Sequence, residues 1–196
     1  HRHVASREDS NSARAGESFY RFAPRAWIGS FRQGCAAETA LRSGHPSLHP
    51  YAAYLTGSAA ALILASLIAG LPGLLIWTAL ALHTQSQILL SDYVQHYALT
   101  RARLPDGRRE PVGPGHSWNT AHWFTSAMML NAPRHSDHHL NPSRPFPALR
   151  LPDDAPRLPW PLPLACAMAL SPRIWRRAMS PHLARWQDSR PGNTTA

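Results

Sequence analysis

The chain of 196 residues contains no lysine; all 20 of its basic residues are arginine, set against 11 acidic ones. A basic balance of this kind fits either a nucleic-acid binder or a membrane protein with arginine-rich flanks. Distribution separates the two. Charge is missing altogether between Arg42 and Asp92, while Arg21, Arg25 and Arg32 precede the gap and Arg101, Arg103, Arg108 and Arg109 follow it. Nucleic-acid proteins carry their arginines over the folded surface, interleaved with aromatics, so the segregation argues for a lipid bilayer and against nucleic acid as partner. Cysteine is also scarce. Cys35 and Cys166 form no CxxC pair, which excludes a zinc ribbon, an iron–sulfur motif and a disulfide framework. They read as incidental small side chains. The start shows no signal-peptide pattern. It opens on His1 with residues that read as the interior of a folded segment, so an N-terminal part is expected to be missing.

The uncharged gap contains two stretches of membrane-spanning length, residues 52–71 and 73–91, separated at Pro72-Gly73. Together they predict a transmembrane helical hairpin whose two ends emerge on one side. Arginines at both ends place that side in the cytoplasm. The alternative is a buried helical hairpin of a soluble protein, which seldom needs so long an uncharged run. Upstream, residues 16–41 combine Phe19, Tyr20, Phe22, Trp27 and Phe31 with arginines. They predict an amphipathic helix, suited to the membrane surface or to a soluble face. The second span carries His83, Gln85 and Gln87 and runs into Asp92, Gln95 and His96. Polar groups at that depth face a bundle interior or cavity, so this helix is expected to lead into a polar site. Residues 103–115 read as a loop and 116–132 as a helix ended by Pro133. The proline-rich tail from Leu151 holds an apolar piece too short to span, read as interfacial.

Three histidines crowd "RHSDHHLNP", residues 134–142. On a helix His135, His138 and His139 share one face, and neutral imidazoles converging there suit iron, zinc, copper or nickel. Asp137 points elsewhere on such a helix and is expected to accept an N–H from a ligating ring, fixing its tautomer. A solvated histidine patch is the competing reading. His96, in "SDYVQHYALTR", is a natural further ligand from a neighbouring helix. His116, Asn119 and His122 recur at helical spacing and fit either a supporting role at the same site or an ordinary polar face. His45, His49 and His182 lie near prolines and read as incidental.

"NAPRHSDHHLNPSRPFPALR" resembles the third histidine box of the membrane-bound alkane 1-monooxygenases (alkane ω-hydroxylases), within the membrane fatty-acid desaturase and hydroxylase superfamily. "DYVQHYAL" resembles that family's further histidine motif. "HSWN" at 116–119, the segment 155–183 and "HRHVASREDSNSARAGESFYRF" resemble the linking, C-terminal and second-box regions, so the resemblance covers the chain. Three departures stand out: Gln95 occupies the position of an acid, Ala98 that of a glycine, and Ala132-Pro133 that of Leu-Gln.

The resemblance implies an all-α fold, the C-terminal part of a polytopic transmembrane helical bundle with a cytoplasmic histidine-rich di-iron site, residues 1–196 forming one such domain. It implies metal ligands at His1, His96, His135, His138 and His139, two non-haem iron ions, and a multi-pass protein of the bacterial inner membrane. The implied reaction is hydroxylation of the terminal carbon of a medium-chain alkane, or of a similar acyl chain, with O2. Rubredoxin and rubredoxin reductase are the implied electron donors. Tyr93, Trp118 and Trp123 are expected to line a substrate channel or anchor at the interface. Alternatives are a related desaturase or fatty-acid hydroxylase, or an inactive fragment, since the first histidine boxes belong before His1. A chain without them is expected to be inactive alone.

Overall fold

The computed structural model describes residues 3–42 and 48–190. His1 and His45 lie outside the described residues. Among the described residues six α-helices appear in order: α1 Phe19–Leu41, α2 Pro50–Gln95, α3 Trp123–Met128, α4 His135–Leu140, α5 Leu162–Ala169 and α6 Pro172–Ser189. Short 3-10 turns occur at Pro114–His116 and Phe146–Ala148. Among the described residues there is no β-strand, only the isolated bridges Arg103–Arg109 and Asn119–Arg157. The chain forms two compact units, one of His1–Ala26 with Leu90–Ala196 and the other of Trp27–Leu89.

Within the second unit, the apolar run is a single element interrupted by a break. Ala69 (φ −133, ψ 18) and Gly70 (φ 60, ψ −147) leave helical dihedrals. That conformation at Gly70 is open in practice only to glycine. The expected break at Pro72-Gly73 therefore falls two residues earlier. Pro72 sits in the first turn of the following segment, where its missing N–H costs nothing. A Cβ at Gly73 would lie 2.2 Å from the Ala65 carbonyl oxygen. In an unbroken helix eight residues would separate these positions by about 12 Å, so the chain turns back on itself here and glycine permits the close approach. Pro50–Gln95 is long and apolar enough to cross a membrane. Its apolar side chains are exposed, Leu67 at 78 % and Ile68 at 76 %, unlike those of a soluble core helix.

The first unit is built around an aromatic cluster. Phe19 and Phe22, on the first turns of α1, meet Tyr93 on the last turn of α2 at ring-centroid distances of 5.9 and 5.4 Å. Tyr93 and Tyr97 both pack on Trp175 of α6, at 5.9 and 5.3 Å. Each hydroxyl ties down the N-terminal loop: Tyr93 Oη donates to the Glu17 carbonyl at 2.7 Å, and Tyr97 Oη accepts from Gly16 N at 3.1 Å. Tyr93 and Trp118 are thus packed in the interior, neither interface anchors nor part of an open channel. Trp123, by contrast, is 77 % exposed.

The helix expected over 116–132 shrinks to α3. Its upstream backbone groups find tertiary partners instead: Trp118 N donates to Gln95 O at 2.7 Å and Asn119 N to Pro156 O at 2.9 Å. Downstream, Leu130 and Asn131 adopt positive φ and end it before Pro133. The tail is more helical than expected. α5 buries Leu162, Ala165 and Ala169, and α6 buries Trp175 and Met179. Cys35 and Cys166 are both free thiols.

Candidate metal centre

The last turn of α2 delivers His96 to α4. His96 Nε2 stands 3.0 Å from His135 Nε2, although 39 residues separate them in sequence. The His139 ring lies 5.1 Å from that of His96 and 4.5 Å from that of His135. One ligand nitrogen from each of these three residues falls within 4.8 Å of the others. The i, i+4 pair on α4 thus joins His96. His138 stands beside the triad, its ring 5.9 Å from His135 and 5.8 Å from His139.

The electrostatics favour ligation. Burial lowers His96 to about 4, against a pull in the other direction from Asp9. Burial lowers His139 to about 3, and its histidine neighbours add to the effect. His135 is held well below its ordinary value by burial and by the adjacent rings of His96, His139 and His138. All three imidazoles are therefore neutral near pH 7, the form that offers a lone pair to a metal. Two Nε2 atoms facing each other at 3.0 Å offer one shared proton at most. An all-imidazole set meeting in this way fits a transition-metal ion.

α4 is held from both ends. Asn119 meets its first turn: Oδ1 accepts from Ser136 N at 2.9 Å and Nδ2 donates to Ser136 Oγ at 2.7 Å. On the other side, Asp137 receives Arg144 Nη1 on both oxygens at 2.6 Å, Asn141 Nδ2 at 2.8 Å and the Arg150 N–H at 2.7 Å. Burial raises the Asp137 carboxyl, but these donors outweigh it and keep it lowered. The expectation that Asp137 takes an N–H from a ligating ring does not match these contacts. Arg144 and the 141–150 loop occupy its oxygens, and its work is to lash that loop to α4. Arg134 adds a bond to the Leu149 carbonyl.

His116 has both ring nitrogens engaged. Nδ1 accepts from Gly113 N at 2.8 Å, so the proton sits on Nε2 and is donated to Glu110 Oε1 at 2.9 Å. It supports the loop and is not a ligand. His122 accepts from Thr125 N at 3.5 Å as the N-cap of α3. His182 packs on Trp160 and contacts Arg185, and His49 contacts Thr39. The sequence reading missed Ser136, although it lies inside the histidine motif. It also missed that Gln95 Nε2 donates to the Ala132 carbonyl at 3.0 Å, just upstream of α4. Sequence could flag Ser136 by its place inside the histidine motif; nothing local signals the carbonyl that Gln95 meets.

A profile of the fatty acid desaturase family matches residues 1–159. The chain belongs to the fatty acid desaturase family. Within it, the chain is 35 % identical to alkane 1-monooxygenase 2 of Pseudomonas aeruginosa over 186 residues, covering 92 % of this chain and 49 % of that protein. It is 31 % identical over 191 residues to alkane 1-monooxygenase of Pseudomonas putida, covering 95 % and 48 %. The xylene/toluene monooxygenase hydroxylase component XylM of Pseudomonas putida is more distant, 27 % identical over 191 residues, covering 91 % and 48 %. The chain spans about half the length of the curated relatives it matches. The triad His96, His135 and His139 lies wholly inside the desaturase-family match.

Proposed function

We propose that the complete protein is a membrane-bound non-haem iron monooxygenase that hydroxylates the terminal carbon of medium-chain alkanes. The observation that carries this reading is the convergence of His96 with His135 and His139 in a chain of the desaturase family whose relatives include alkane 1-monooxygenases. His96, His135 and His139 would hold iron, with His138 beside them and His1, outside the described residues, completing a two-iron set with ligands from the other half of the protein. Iron bound there supplies the oxidising power to place one atom of O2 in an unactivated C–H bond while the other leaves as water. This chain's own contribution is to keep the imidazoles neutral and fixed.

An alkane has no polar handle, so its recognition rests on apolar contact, worth about 0.8 kcal/mol per buried methylene. The two cysteines do not make a four-cysteine electron-transfer cluster. Electrons are assigned to rubredoxin and its reductase, as the resemblance to the alkane 1-monooxygenases implies. Residues 52–71 and 73–91 are proposed to be embedded in the membrane, making the protein multi-pass. The arginines on both flanks of that run support a cytoplasmic placement for those flanks and for the metal site. A desaturase or fatty-acid hydroxylase is the second reading, favoured by the family profile itself.

The test is purification of the complete protein in detergent, iron quantification, and turnover with rubredoxin and its reductase on a panel of alkanes and fatty acids. Two irons per chain and terminal alcohols are expected. Iron-free protein would overturn the metal assignment, and unsaturated or hydroxylated fatty acids as the only products would replace the alkane assignment with the second reading.

A further inference from the structure

We propose that Asn119 is a positioning residue: it caps α4 from a separate loop and so fixes the angle at which His135 and His139 face His96. The proposal rests on the metal-centre reading above. α4 has only six residues, too few to be stable on their own. Its N-cap residue, Arg134, makes no side-chain cap bond. The missing acceptor comes from Asn119, 17 residues upstream. Its Oδ1 takes the N–H of Ser136, the second residue of the helix, where a cap oxygen ordinarily bonds.

The other end of the amide matters as much. Asn119 Nδ2 donates to Ser136 Oγ and to Ser117 O, both at 2.7 Å, with Pro156 O at 3.3 Å. Ser136 Oγ in turn reaches Pro114 O at 2.7 Å and Ser117 O at 3.1 Å. An oxygen facing an N–H and a nitrogen facing carbonyls select an amide over a carboxylate or an alkyl group. Asn119 and Ser136 are fully buried, each 0 % exposed. The residue is itself anchored away from the histidines: its N–H donates to Pro156 O at 2.9 Å and its carbonyl accepts from Leu158 N at 2.6 Å. Asn119 thus gives α4 a reference point that does not depend on the metal. Ser136 is adjacent to His135, so unwinding of the first turn moves His135 before any other ligand.

Asn119→Ala and Asn119→Asp in the complete protein, titrated with Co(II) and followed by d–d absorption, test this. Asn119→Ala is expected to bind Co(II) about tenfold more weakly with an altered absorption band. Asn119→Asp keeps an oxygen for the Ser136 N–H but sets its second oxygen against the Ser117 and Pro156 carbonyls, so it is expected to weaken binding and alter the band as well. Should the alanine variant fail to fold, the aspartate variant decides by the same band. Wild-type affinity and spectrum in either variant would overturn the positioning role alone. A wild-type protein that takes up neither Co(II) nor iron would overturn the metal-centre reading, and the positioning role with it.

Discussion

His96 and His135 face each other through their Nε2 atoms at 3.0 Å, one at the end of a long apolar helix and the other opening a six-residue helix. Neither helix alone brings together more than part of the histidine cluster. His96→Ala is expected to reduce Co(II) or iron binding by more than about tenfold. His182→Ala, whose ring packs against Trp160, should leave it unchanged. Metal-to-protein ratios from equilibrium dialysis check both, and equal loading of His96→Ala and wild type would remove residue 96 from the centre.

Gln95→Glu is expected to destabilise the protein by about 1–3 kcal/mol. Gln95 is buried, accepts from Ser91 Oγ and donates from Nε2 to the Ala132 carbonyl. A carboxylate has nothing to donate and would set an oxygen against that carbonyl. The departure from the acid expected at this position is thus matched to its surroundings. Denaturant unfolding of the two proteins side by side is the measurement; coincident midpoints would show that the Ala132 contact contributes nothing.

Glu110 makes acid sensitivity local. Burial pushes its carboxyl up, but the Ala102 N–H, His116 and Arg190 outweigh this and hold it at about 2, against an ordinary 4.5. The unfolded chain therefore takes up this proton first as pH falls. The carboxylate's contribution is complete above about 4.5 and is lost toward about 2. Glu110→Gln should lower stability at neutral pH and flatten the stability profile across that window. A variant as acid-sensitive as wild type between those limits would contradict the assignment.

Ile63→Arg tests the apolar run. Ile63 is 61 % exposed near the middle of 52–71. An arginine at the centre of a span costs about 2.5–3.5 kcal/mol on insertion scales. The variant should shift a fraction of the 52–71 run out of the bilayer, read as faster protease cleavage of that run in membrane vesicles, whereas Thr39→Ala should be cleaved as wild type is. Equal protease protection of the run in Ile63→Arg and wild type would argue that this run does not enter lipid.

Much of the site was legible because helical spacing is a local property. The i, i+4 relation between His135 and His139 follows from the sequence once 135–140 is helical, and His96 stood out as a histidine ending an apolar helix. What escaped was set by distant carbonyls and cations. Asp137 was expected to serve a histidine, but Arg144 supplies a stronger partner. Residues 116–122 carry a helical pattern, yet Gln95 and Pro156 offer their carbonyls to Trp118 and Asn119 and draw the chain out of a helix. The break in α2 shifted from Pro72 to Gly70 because proline is harmless in a first helical turn.

The stretch Trp118–Thr120 bonds to five residues at once: Trp118 to the carbonyls of Gln95 and Tyr97, Asn119 to Ser136 and Pro156, and Thr120 to Pro133. An insertion of one residue there would put every one of these attachments out of register together. Among the described residues, the tip at Asp106-Gly107 is closed by bonds within its own turn, which makes it a place where an epitope or purification tag can be spliced in without disturbing the histidines.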